Sequence, residues 1–201
     1  MKFVPFAAAL VLACSTAQLA DAQEVHMQTS LGEIDIALDA QHAPKTVAIF
    51  LRYVREGHFD GTMIYRVVPG FVLQMGSYDT KGNPRPTHDP IPLESGNGLL
   101  NARGTLSMAR SDDATSATAE FFINLSDNGD LDPKEGKAPN TTGYAVFGKV
   151  VEGMGVVDTI AAVPLKGGQG PFPDNDPAQP VVIKSMTVVG DPPRAAAPAK
   201  H

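Results

Sequence analysis

The sequence predicts a mainly β protein, an antiparallel barrel or sandwich with two helices packed against it. Three observations carry that expectation. Eight short stretches have strand character, only two have the apolar spacing of a helix, and no strand–helix–strand alternation or internal repeat is present. Gly 19 and Pro 17 together make 36 of 201 residues, enough turn formers to break a chain into many short elements. A length of 201 residues suits one sizeable core, and 43% hydrophobic content is ordinary for a globular chain. The net charge of -6 is spread along the chain with no basic patch, which argues against nucleic-acid and anionic-membrane partners.

The first 22 residues read as an export signal, outside the folded part. Lys2 precedes an apolar run from Phe3 to Cys14, and a polar stretch then closes on Ala20-Asp21-Ala22, a small-x-small cleavage pattern that leaves Gln23 first. The run is shorter than the roughly 20 apolar residues of a spanning helix. Periplasmic export is therefore expected, with residues 23–190 as the domain and 191–201, rich in Pro and Ala, as a disordered tail. Cys14 is the only cysteine, so no intramolecular disulfide or Cys-based metal site is available. Val11-Leu12-Ala13-Cys14 imperfectly resembles a bacterial lipoprotein box, which leaves lipidation at Cys14 as an alternative to cleavage after Ala22.

Val25 to Thr29 and Glu33 to Leu38 flank Ser30-Leu31-Gly32, and Ile34, Ile36 and Leu38 alternate with polar or small residues, which predicts a hairpin with one buried face. Between Ala43 and Gly57 the period changes: Val47, Phe50, Leu51 and Val54 make one stripe, Pro44 suits a first helical position and Gly57 a stop. Met63 to Gly76 predicts two strands meeting at Pro69-Gly70. Tyr78 to Ser95, with four prolines, predicts no regular element. Strands are expected at Gly104 to Ala109, Ala119 to Asn124, Tyr144 to Val150 and Val181 to Val189, with loops at Arg110 to Thr118, Asp127 to Gly143 and Pro164 to Pro180. Gly153 to Val163 carries Met154, Val157, Ile160 and Ala161 near helical spacing and predicts the second helix.

Within Met63 to Gly76, Arg66 and Gln74 are the polar exceptions among Ile64, Val67, Val68, Phe71, Val72 and Leu73. An arginine in a strand is commonly a solvated outward position; among such bulky neighbours it also suits the polar point of an apolar pocket. Other chemistry is scarce. The five histidines lack ligand spacing, no Gly-x-Ser-x-Gly elbow or phosphate-cradling glycine loop is present, and Asp127, Asp130, Asp132 and Glu135 lack the order of an EF-hand. No metal and no cofactor are expected.

Tyr65-Arg66-Val-Val-Pro69-Gly70-Phe71-Val-Leu-Gln74, Leu106-Ser-Met-Ala109, Glu120-Phe-Phe-Ile-Asn124, Leu131-Asp132 and Tyr144-Ala-Val-Phe-Gly-Lys-Val150 together resemble the cyclophilin family of peptidyl-prolyl cis/trans isomerases, in the family's order and spacing, over roughly Val25 to Val189. With the export signal, the likeness is greatest to periplasmic bacterial cyclophilins. It implies a closed eight-stranded antiparallel barrel capped by two helices, and an outer groove for a proline-containing peptide. It also implies that Arg66 is catalytic and that Phe71, Val72, Phe122, Leu131 and Tyr144 line a proline pocket. Gln74 stands beside the arginine, and Ala109 and Arg110 match the segment whose backbone pairs with substrate. Without the resemblance, Phe71 and Phe122 read as core residues and Gln74 as an exposed strand residue.

The implied partners are flexible, proline-containing polypeptides awaiting folding, and the chain is expected to be a monomer. Three positions depart from the family pattern. Glu120 stands where many relatives have glutamine, which predicts either a salt bridge orienting Arg66 or a weakened substrate contact. Asp130 stands where cyclosporin-sensitive relatives have tryptophan, so cyclosporin binding is expected to be weak. Tyr144 replaces a frequent histidine and keeps a ring over the pocket. A weakly catalytic peptide-binding chaperone of the same fold is the rival reading, left open by Glu120.

Overall fold

The structure, a computed structural model, describes residues 23–165, 172, 174–192 and 194. The export signal, Cys14 and residues 195–201 of the expected tail lie outside the described residues. Eight strands run β1 (Glu24–Thr29), β2 (Gly32–Leu38), β3 (Thr62–Val68), β4 (Val72–Asp79), β5 (Thr105–Met108), β6 (Phe121–Asn124), β7 (Val146–Glu152) and β8 (Val181–Val188). They close into a barrel in the order β1-β2-β7-β5-β6-β4-β3-β8, with every pairing antiparallel. Closure leaves no edge strand exposed, which suits a sheet built of such short pieces.

The alternation seen in β1 and β2 has the expected cause. Val25, Met27, Ile34, Ile36 and Leu38 point into one continuous core, while Glu24, Gln28 and Glu33 face outward. Helix α1 (Pro44–Glu56) starts on Pro44 and stops at Gly57, whose φ of 71° lets its N–H return to the last-turn carbonyls. The stripe Val47, Phe50, Leu51 and Val54 is buried. Phe50 reaches Phe59, Phe121 and Phe147, with ring centroids 5.0–5.4 Å apart, and so joins helix and barrel in one aromatic cluster. Arg52 and Glu56 pair on the wet face at 2.9 Å. Helix α2 (Met154–Ala161) buries Val157 and Ile160.

Some bounds differ from expectation for local reasons. β4 runs on to Asp79, because Tyr78 bridges to Pro84 and Asp79 receives the Asn83 and Lys81 amides. β7 begins at Val146, because the Tyr144 amide is taken by the Leu131 carbonyl at 2.9 Å instead of by a neighbouring strand. Within the expected tail, Asp191 pairs with Arg55 at 2.7 Å, and Arg194 bonds both the Asp60 carboxylate (2.7 Å) and the Met186 carbonyl (2.8 Å). No described helix is long and apolar enough to cross a membrane.

Candidate functional site

Ile64 and Val67 belong to the barrel core, so strict alternation cannot put both Tyr65 and Arg66 on the opposite face. A bulge resolves the conflict. Ile64 pairs with Met75 and Arg66 with Gln74, leaving Tyr65 as an extra residue on β3. Arg66 thereby stands on the outer face beside Gln74, and its Nη1 donates to Gln74 Oε1 at 3.1 Å. The guanidinium also lies over the Phe172 ring, with Cζ 5.3 Å from the centroid. Ahead of β4, the hairpin tip is pinned by the segment that follows the neighbouring strand β6. Ser126 Oγ donates to the Gly70 carbonyl at 2.6 Å, and Leu125 N and Asn128 Nδ2 both donate to the Phe71 carbonyl, at 2.8 and 2.9 Å.

A small second cluster forms beside Arg66. Val72, Ala109 and Phe122 are buried together, and Phe71, Leu131 and Tyr144 pack against them. Phe122 meets Tyr144 edge to face at 5.5 Å, and the Arg110 guanidinium lies over the Tyr144 ring, 5.1 Å from its centroid. Arg110 is held there by carbonyls, with Nε donating to Gly143 O at 2.9 Å and Nη1 to Ser111 O at 2.8 Å. Arg66, Phe71, Val72, Gln74, Ala109, Arg110, Phe122, Leu131 and Tyr144 line one depression of about 90 Å³. These are nine of the ten positions picked from sequence. A single turn of 3-10 helix, Gly129–Leu131, sets Leu131, and Asp130 sits exposed within it.

Glu120 is the tenth, and it stands outside the depression. It lies two residues before Phe122 and behind Gln74, whose Nε2 donates to Glu120 Oε2 at 3.1 Å. The direct Arg66–Glu120 salt bridge offered as one expectation does not form, since no such pair occurs among the described residues and the Gln74 amide stands between the two charges. Beside this chain the Tyr65 hydroxyl is buried with no hydrogen-bond partner among the described residues. Burial first, and then the Glu120 charge, push its phenol well above the usual range, so it stays neutral.

The polar frame beneath the depression escaped the sequence reading. Asn124 Nδ2 donates to Thr105 Oγ1 (2.9 Å), Asn128 Nδ2 to Asn124 Oδ1 (2.8 Å) and Ser107 Oγ to Asn101 Oδ1 (2.7 Å). Asp132 accepts from both the backbone and the side chain of Asn101, at 2.7 and 2.9 Å. A buried polar network of this kind fixes a loop only when its groups find partners, and these do. The available signal was Asn124 closing an otherwise apolar strand. Among the described residues, no group of three or more His, Cys, Asp or Glu side chains is placed to hold a metal ion.

Residues 24–188 match the family model described as cyclophilin type peptidyl-prolyl cis-trans isomerase/CLD. The chain belongs to this family. It is 44% identical over 165 residues to peptidyl-prolyl cis-trans isomerase A of Dickeya dadantii, an alignment covering 82% of this chain and 84% of that protein. It is 46% identical to the cyp18 isomerase of Streptomyces antibioticus, covering 83% and 98% of the two chains. Isomerase B of Escherichia coli is 42% identical, covering 82% and 98%. A Cryptosporidium parvum cyclophilin crystallised in the presence of the dipeptide Ala-Pro shares the fold, with a TM-score of 0.68 at 22% identity, covering 84% of this chain and 100% of that one. This cyclophilin is accordingly an enzyme, a peptidyl-prolyl cis-trans isomerase.

Proposed function

We propose that this cyclophilin accelerates X-Pro rotation through Arg66, with the proline ring seated in the depression between Phe71, Phe122, Leu131 and Tyr144. Resonance across the peptide bond opposes twisting with a barrier of roughly 18–20 kcal/mol, so the uncatalysed exchange takes tens to hundreds of seconds. No covalent bond has to break. As the bond twists, the prolyl nitrogen becomes pyramidal and regains its lone pair, and a guanidinium N–H donated to that nitrogen favours the twisted state over either planar one. A millionfold gain needs about 8 kcal/mol, of which a charge-assisted hydrogen bond in a water-poor site, together with orientation, supplies a large part.

The observation that carries this reading is the placement of Arg66. Gln74 accepts from Nη1 alone, no described carboxylate pairs with the guanidinium, and Arg66 lines the same depression as Phe71, Phe122 and Tyr144. Arginine suits the task better than lysine, because its planar fork can address the nitrogen and a nearby carbonyl together. Isomerisation of a proline tetrapeptide by wild type and Arg66→Ala tests it. The variant is expected to lose on the order of a hundredfold in kcat/KM while still binding the peptide; near-wild-type turnover would overturn the role. The substrates proposed are exported chains awaiting folding in the periplasm, a reading supported by the Lys2, apolar-run and Ala20-Asp21-Ala22 pattern. N-terminal sequencing of the mature protein is expected to begin at Gln23, and an uncut or Cys14-modified start would contradict it.

A further inference from the structure

Gln74 is bonded at both ends of its amide, to Arg66 through Oε1 and to Glu120 through Nε2. Arginine can only donate and an ionised carboxylate can only accept, so this pair of neighbours leaves the amide one orientation. Among the described residues Glu120 makes no hydrogen bond or ion pair with Arg66, and it does not line the depression. Its own place is set by backbone packing. The Glu120 carbonyl accepts the Ala109 amide at 2.9 Å, and β4 passes so close at Gly76 that a Cβ there would lie 3.1 Å from Glu120 Cα. Glu120 has no ion-pair partner among the described residues, and its charge adds to the burial that holds the phenols of Tyr65 and Tyr78 neutral behind the same strands.

We infer that Glu120 is a positioning residue for catalysis: through Gln74 it holds the Arg66 guanidinium in place, and it does not contact the substrate. The inference rests on Arg66 carrying the reaction as proposed above. It gives the departure from glutamine at this position a physical meaning. A glutamine can offer Gln74 either a carbonyl or an amide and so permits two arrangements, whereas the carboxylate permits one. It also engages one of the two Gln74 amide N–H donors.

A double-mutant cycle tests it, with kcat and KM measured separately on a proline tetrapeptide for Glu120→Leu, Glu120→Gln, Gln74→Leu and the Gln74→Leu/Glu120→Leu pair. Glu120→Leu is expected to lower kcat about tenfold with KM within about twofold, since the bond it supports is used mainly in the twisted state. Glu120→Gln should stay within about twofold of wild type, because its carbonyl can still accept from Gln74. Once Gln74 is leucine, removing Glu120 should cost nothing more. Three results would overturn the inference: an unchanged kcat, a loss confined to KM, or an equal loss with and without Gln74. Should Glu120→Leu melt well below wild type, Glu120→Asp, which keeps the charge but draws it back one methylene, carries the same comparison. Arg66→Ala in the same assay separates the two readings. Full activity there removes the arginine mechanism itself, while an inactive Arg66→Ala beside an unaffected Glu120→Leu removes only the role given to Glu120.

Discussion

At the scale of single residues, the site depends on where the backbone departs from a regular strand. Arg66 faces outward because Tyr65 is an inserted residue, and Gln74 meets both Arg66 and Glu120 because β4 lies between β3 and β6. Gly76 makes the second contact possible. Its φ is 118°, a conformation that side-chain-bearing residues rarely adopt, and a Cβ there would strike the Ala119 carbonyl oxygen. Gly76→Ala therefore combines backbone strain with a clash against main chain that cannot rotate away. It is expected to destabilise the fold by about 3 kcal/mol, lowering the melting temperature by roughly 6–12 °C in a chain of this size. Because the displaced neighbour is the Ala119-Glu120 backbone, kcat should fall as well. A melting temperature within a degree of wild type would show that the two strands have slack at this contact.

At the scale of elements, the sequence was legible wherever the signal is local. The i, i+3, i+4, i+7 spacing of Val47, Phe50, Leu51 and Val54, bracketed by Pro44 and Gly57, marks α1 within a residue of its ends. The alternation of Ile34, Ile36 and Leu38 marks β2, and Pro69-Gly70 marks the bend between β3 and β4. Non-local facts were not readable in this way. β2 pairs with β7, more than a hundred residues away, and nothing in either strand announces the other. The bulge at Tyr65 exists only relative to β4, so sequence alone cannot tell whether Arg66 shares the face of Ile64 or opposes it. For the same reason a direct Arg66–Glu120 salt bridge stood as one of two expectations for Glu120, whereas the amide between the two side chains belongs to a third strand. The gathering of Phe71, Phe122, Leu131 and Tyr144 was expected from family resemblance, because each ring or side chain taken singly reads as core.

At the scale of the whole molecule, one coupling of folding to protons runs through a histidine joined to the strand that carries the site. His58 follows α1, lies against the Tyr53 ring at 4.5 Å and donates from Nε2 to the Gly76 carbonyl at 2.9 Å. Burial holds its pKa below the ordinary 6.5; the Gly76 carbonyl opposes that shift, the Arg85 and His88 charges add to it, and Glu56 opposes it. A depressed histidine means that, below about pH 6.5, the unfolded chain binds a proton that the folded chain refuses. Stability must then fall as pH drops through 6.5, and this contribution levels off below the folded-state pKa. The carboxylates act in a lower window. Side-chain hydrogen bonds from His88 and then Arg52 hold Glu56 down, and the Asn83 backbone amide and then its side chain hold Asp79 down, so their contribution is present above the usual carboxylate pKa near 4 and is lost in more acidic solution. The two windows can be separated with one substitution. His58→Gln keeps an N–H donor for Gly76 but cannot take up a proton, so urea midpoints followed from pH 8 to pH 5 should fall below about pH 6.5 in wild type and stay flatter in the variant. Parallel curves for the two proteins would mean that His58 titrates alike in the folded and unfolded chains, and that the acid sensitivity lies with groups elsewhere on the barrel.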